Sequence, residues 1–396
     1  MKNFKRFIAA LMATVIVATL SGISAFATKQ YPGVEDASDL GVTSYLCFGD
    51  SIATGYLSEQ SGTDFRQMNI AQTLRDGETT TNAYPTMIAD ALGLNVRDNP
   101  FGYFGNGNTQ KNNDAWSWKQ SKYQFYNYAR DGLTSHEFRL LLDPSYYNQM
   151  TEEEKNISDN IILDGDFTKR GMGGFRTMQQ HIHYDLKQAD VITAWFGSND
   201  LLFYVLQTTL SIVNDNSISS AVNGALAAFG LGGALDSLIN TAVLVGKLPL
   251  VLATMVTQSN KANAAFAENW DAFMGMVLAE KKPNAKIYVG DIYNSNAGLK
   301  FTSTSQFRFG ELLSFSANEI NNVIRNTSKY RSQYTVVHTA GVEPLLPDWA
   351  PIDQWQSALD EGYFYTMFMA TAHPQREGQI YLANEFVKAI KGNYLS

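Results

Sequence analysis

The sequence predicts an α/β fold, a five-stranded parallel sheet covered by helices. Two observations carry this. From about residue 42 onward, short apolar runs alternate with longer amphipathic stretches, the order expected when each strand is followed by a helix crossing back over the sheet. Each run is also short and rich in β-branched or aromatic residues, as strands buried on both faces tend to be. With 45% apolar and 17% charged residues in a chain of 396, there is ample material for one large core.

In chain order, the strands are expected at Thr43–Phe48, Gln124–Tyr128, Val191–Phe196, Lys286–Val289 and Tyr334–His338. Helices are expected at Tyr84–Leu92, Asn269–Lys281 and Arg376–Ile390. Two segments exceed what such a fold requires. Residues 95–123 are rich in Asn, Gly and aromatics, among them Phe101, Tyr103, Phe104, Trp116 and Trp118. Residues 201–256 are strongly apolar around a glycine-rich centre, Gly230-Leu231-Gly232-Gly233, and read as a helical insertion packed on the domain. Within it Leu248–Val256 is nearly uncharged, but Lys247 and Pro249 argue against a membrane span.

The first residues carry an address. Lys2, Lys5 and Arg6 precede an apolar run from Phe7 to about Leu20, and Ala25-Phe26-Ala27 offers small residues for cleavage. The run is shorter than the ~20 residues a span needs. Residues 1–27 are therefore expected to be a signal peptide, 28–42 an irregular lead-in, and 43–396 the folded domain with both insertions. A secreted, extracellular chain with no transmembrane segment after cleavage follows. Losing those three basic residues takes the net charge from −8 to −11. No basic cluster exists to track a phosphate backbone, so nucleic acid is not an expected partner. Cys47, the only cysteine, excludes an intrachain disulfide and reads as a small core residue.

Four short motifs fall where strands end or the last helix begins. Phe48-Gly49-Asp50-Ser51 puts a serine at a strand-to-helix junction, on the carboxyl edge of the sheet, where such folds bind ligands. A helix N-terminus there favours an anion. Alone, Gly-Asp-Ser is a common turn sequence. Asn127-Tyr128-Ala129-Arg130-Asp131-Gly132 ends the second strand, and its glycine lets a backbone N–H approach a reacting oxygen; by itself it also reads as a plain turn. Trp195-Phe196-Gly197-Ser198-Asn199-Asp200 ends the third, where the Asn199 amide can donate to an oxyanion while Asp200 holds the loop through local backbone hydrogen bonds. His373-Pro374 leads into the last helix, with Pro374 suited to its first turn. The other histidines fit less well. His136 and the pair His181 and His183 belong to expected helices, and His338 ends a strand; the pair lacks a third ligand at metal-binding spacing. No redox cofactor, nucleotide loop or structural metal is indicated.

In this order the four motifs resemble the conserved blocks of the SGNH hydrolase family, the GDSL esterases and lipases, over roughly residues 43–390. The resemblance implies a flavodoxin-like three-layer α/β/α sandwich. It implies Ser51 as nucleophile, His373 as general base, and an oxyanion hole formed by the N–H groups of Ser51 and Gly132 with the Asn199 side chain. The chemistry agrees, because a serine hydroxyl needs a neighbouring base and a tetrahedral oxyanion needs preorganised donors.

One position departs from the family pattern. Where an Asp usually stands three residues before the histidine, this chain has Ala370. Something must still hold the imidazole through Nδ1. Three readings stand: a backbone carbonyl such as that of Ala370, giving a Ser–His dyad; a carboxylate from Asp353, Asp360 or Glu361 folding back; or a weak or inactive enzyme. The substrate class divides similarly. The apolar 201–256 segment suits an acyl-chain groove or lid, hence a lipid ester, or merely enlarges the core. The aromatic 95–123 segment suits an acetylated carbohydrate, or is surface-loop packing. A non-catalytic carbohydrate- or surface-binding protein on a degenerate hydrolase fold is the alternative from another class.

Overall fold

A computed structural model describes residues 31, 33–56, 58, 83–94, 125–163, 175–201, 241–295, 310–347 and 371–394. The chain divides into two compact units, Met1–Gly33 and Val34–Ser396.

Five strands form one parallel sheet: β1 (Tyr45–Gly49), β2 (Phe125–Asn127), β3 (Val191–Trp195), β4 (Lys286–Gly290) and β5 (Thr335–Val337), in the order β2-β1-β3-β4-β5. That order is the flavodoxin-like one, and its switch point lies between β1 and β3. Every residue of β1 and β3 is buried, as a sheet covered on both faces requires.

The helices are α1 (Ser51–Thr54), α2 (Tyr84–Ala91), α3 (Ser135–Leu142), α4 (Glu152–Leu163), α5 (Phe175–Leu186), α6 (Ser198–Leu201), α7 (Thr241–Glu280), α8 (Gly310–Asn322) and α9 (Arg376–Tyr394). Aromatic contacts show which face four of them cover. Phe48 of β1 meets Phe138 of α3 and Phe273 of α7 edge-on. Trp195 of β3 instead meets Tyr84 of α2, which stacks on Phe386 of α9 at 5.3 Å. The result is three layers with α2 and α9 on one side and α3 and α7 on the other.

All five expected strands are present with ends that differ by one or two residues, and at β1 and β5 the reason is visible. β1 starts at Tyr45 because Thr43 turns away. The Thr43 N–H (2.8 Å) and hydroxyl (2.6 Å) both donate to Asp190 Oδ2. β5 stops at Val337 because His338 and Thr339 are drawn to Asp291, whose Oδ2 lies 2.7 Å from His338 Nδ1 and whose Oδ1 accepts the Thr339 N–H at 2.7 Å.

The helix expected at Asn269–Lys281 is far longer, 40 residues from Thr241 to Glu280. It continues through the end of the segment assigned to an insertion. Residues 241–256 are apolar without a polar face, so the 3.6-residue alternation that marks a surface helix is missing from that half. The remaining part of that insertion, 202–240, and the whole 95–123 segment lie outside the described residues, as do residues 1–27, expected to be a signal peptide. Among the described residues no helix is long and apolar enough to cross a membrane. Cys47 is fully buried, and burial pushes its thiol up to about 12.

Candidate active site

Ser51 opens α1 immediately beyond β1. Asp50 caps that helix, its Oδ1 accepting the Ile52 N–H at 3.0 Å, and Gly55 ends it in the left-handed conformation. The turn is too short for an appreciable helix dipole, contrary to expectation; what it supplies is a fixed Ser51 N–H with no intrahelical acceptor. Asp50 is buried, and its second carboxylate oxygen finds no hydrogen-bond donor among the described residues. Burial pushes this carboxyl up to about 7, with the nearby Asp131 adding to the rise.

His373 lies in the loop before α9, which begins at Arg376, so Pro374 precedes the helix instead of occupying its first turn. The loop is pinned on both sides of the ring. The Tyr293 hydroxyl donates to the Ala372 carbonyl at 2.9 Å, and the Gln379 amide reaches the Pro374 carbonyl. Behind the loop, α9 passes close to the Pro374 ring. A Cβ on Gly378 would sit 2.6 Å from Pro374 Cβ, so only glycine permits that approach. The Tyr56 ring packs against the imidazole with centroids 4.9 Å apart. So held, His373 Nε2 lies 2.8 Å from Ser51 Oγ, with both side chains buried, although 322 residues separate them in sequence.

The two remaining motif residues arrive from neighbouring strand ends. Gly132, after β2, has φ +79°, a conformation costly for any residue with a Cβ. Its loop is tied to α1 through Thr54, whose hydroxyl donates to Asp131 Oδ1 at 2.7 Å. Asn199 follows β3 in α6; its Nδ2 donates one hydrogen to the Leu133 carbonyl at 3.0 Å, leaving the second for another acceptor. Among the described residues the N–H groups of Ser51 and Gly132 form no internal hydrogen bond.

Asp200 differs from expectation. Its carboxylate reaches beyond its own loop and accepts the Ser135 N–H at 2.9 Å and the Ser135 hydroxyl, at the start of α3. A buried carboxylate is stabilised by two donors at a helix start.

The other histidines are engaged elsewhere. His136 Nδ1 contacts Tyr146 Oη at 2.8 Å and Asn269 Nδ2 at 3.1 Å, and His183 Nδ1 contacts Glu280 Oε2 at 2.6 Å. Burial lowers His181 to about 4, and His338 meets Asp291 as above. Ala370, Asp353, Asp360 and Glu361, the candidates to hold His373 Nδ1, lie outside the described residues.

Thr54, Tyr56, Tyr293 and Gln379 carry no motif and were not singled out from sequence. Gln379 alone left a signal, as a lone amide on the otherwise apolar stripe Leu382, Ala383, Phe386, Val387 and Ile390 of α9.

Chemically, a histidine nitrogen at hydrogen-bond distance from a buried serine can remove its proton. Similar solved structures include an extracellular lipase from Streptomyces rimosus, 12% identical, covering 88% of this chain and 99% of that one with a TM-score of 0.40. A phospholipase A1 from Streptomyces albidoflavus is 14% identical, with coverage of 89% and 99% and a TM-score of 0.40. An acetyl xylan esterase variant from Geobacillus stearothermophilus is 10% identical, with coverage of 90% and 96% and a TM-score of 0.30. No curated protein matches the chain. The family model described as GDSL-like lipase/acylhydrolase matches residues 45–386, from the first residue of β1 well into α9. With that span the chain belongs to the GDSL-like lipase/acylhydrolase family, the SGNH hydrolases.

Proposed function

We propose that this chain is a secreted serine hydrolase that cleaves carboxylic acyl esters, with Ser51 as nucleophile and His373 as general base. The observation that carries the reading is the 2.8 Å contact between Ser51 Oγ and His373 Nε2 in a buried setting.

His373 Nε2 takes the Ser51 proton as Oγ attacks the ester carbonyl. The resulting oxyanion is met by the N–H groups of Ser51 and Gly132 and the free hydrogen of Asn199 Nδ2. His373 then returns the proton to the departing alcohol, leaving an acyl-enzyme. Water, deprotonated by the same nitrogen, releases the acid and restores Ser51. Throughout, Nδ1 must carry its hydrogen toward an acceptor so that Nε2 is the basic nitrogen. A backbone carbonyl can do this, fixing the tautomer as a carboxylate would while stabilising the imidazolium less.

Residues 1–27 serve as a cleaved signal peptide and 43–396 as the hydrolase domain, with insertions near 95–123 and 201–256. The apolar character of the latter favours lipid or medium-chain esters. The test is hydrolysis of p-nitrophenyl acetate, butyrate and palmitate by the wild type and by Ser51→Ala and His373→Ala. Activity rising with chain length supports a lipase, and activity confined to acetate supports a carbohydrate O-acetyl esterase. Activity like the wild type's in either variant, or no turnover by the wild type, overturns the proposal.

A further inference from the structure

Gln379 is fully buried in the first turn of α9, and its amide bonds three segments, two of them remote in sequence and the third the loop just before its own helix. Its Oε1 accepts the Tyr84 N–H at 2.8 Å. Its Nε2 donates to the Ile52 carbonyl at 3.1 Å and, at 3.4 Å, to the Pro374 carbonyl. The partners fix the orientation of the amide, since a backbone N–H can only donate and a carbonyl can only accept. The Tyr84 contact fills a gap at the start of α2, where Ala83 stands at the N-cap and has no side-chain acceptor.

The other two contacts have a particular geometry. Ile52 is the residue after Ser51, and Pro374 is the residue after His373. One amide nitrogen therefore joins the backbone just beyond each member of the pair, while the Tyr293 hydroxyl holds Ala372 on the other side of His373. We infer that Gln379 is a positioning residue that sets the Ser51–His373 hydrogen bond by holding the Ile52 and Pro374 carbonyls on a common donor. The inference rests on reading Ser51 and His373 as nucleophile and base. A buried amide bonded through both its oxygen and its nitrogen is a stiff brace, because any drift of either segment breaks a buried hydrogen bond. Proton transfer and attack depend steeply on that alignment, and a shift of about 1 Å can cost on the order of 100-fold in rate.

The test compares Gln379→Met, which keeps the length but removes donor and acceptor, with Gln379→Glu, which keeps the acceptor for Tyr84 but opposes both carbonyls. Leu382→Ala, one turn along the same buried stripe, controls for lost stability. Each protein is titrated with a fluorophosphonate to count reactive Ser51, and p-nitrophenyl butyrate turnover is expressed per titrated site. Both Gln379 variants are expected to lose about 10- to 100-fold in kcat per site, with KM within about twofold, while Leu382→Ala keeps its kcat per site despite a lower Tm. Three results overturn the inference: kcat per site unchanged in the Gln379 variants, an equal loss in Leu382→Ala, or failure of both Gln379 variants to fold, which makes the residue a folding element only. If the wild type neither turns over the ester nor reacts at Ser51, the reading of the site fails first and this inference with it.

Discussion

Asp200 accepts both the N–H and the hydroxyl of Ser135, 65 residues earlier in the chain. The contact locks the start of α3 against the end of β3. It also fixes the loop that carries Gly132 and Leu133, whose carbonyl in turn holds the Asn199 amide. Asp200→Ala leaves two buried donors without an acceptor and is expected to cost about 3 kcal/mol. Asp200→Asn keeps an acceptor for the Ser135 N–H and, because a hydroxyl can also accept, is expected to recover most of that stability. Chemical denaturation of the two variants checks this; equal losses would show that the carboxylate charge, not the hydrogen bonding, holds α3.

Asn199 offers one side-chain hydrogen beyond the one given to Leu133. If that hydrogen meets the oxyanion, Asn199→Ala lowers kcat by about 10²–10³-fold with little change in KM. Steady-state kinetics on p-nitrophenyl butyrate decides it. A raised KM with unchanged kcat would place Asn199 in ground-state binding instead.

The alternation of apolar runs made the sheet legible in the sequence, because buried parallel strands in this chain are dense in Val, Ile, Tyr and Phe. Their ends were not, since Asp190 captures Thr43 and Asp291 captures His338 and Thr339 across the fold. The four motifs were legible as strand-end sequences, and the structure brings Ser51 and His373 together. The positioning shell was hidden. Thr54 depends on Asp131, Tyr293 on Ala372, and Gln379 on Ile52, each a pairing of one segment with another that periodicity does not encode. The long-range role of Asp200 was missed for the same reason.

Asp50, Asp185 and Asp200 are all pushed up to about 7 by burial, from an ordinary value of 3.8. Between those values the folded chain keeps protons that the unfolded chain has released, so stability is greatest at the acid end of that window and falls as pH rises through it. Asn at position 50 carries no charge but still caps α1. The Tm advantage of Asp50→Asn over the wild type is therefore expected to widen from pH 4 to pH 7 and to level off above. A gap that stays constant with pH would mean that Asp50 does not titrate in this range.

The account stands on Ser51 being made nucleophilic by His373. The direct measurement is the rate of fluorophosphonate labelling, with the labelled residue identified by peptide mass spectrometry, in wild type and His373→Ala. The expected result is labelling of the wild type at Ser51 alone and a rate at least about 10³-fold lower in His373→Ala. Labelling at another residue, or equal rates in the two proteins, would contradict it.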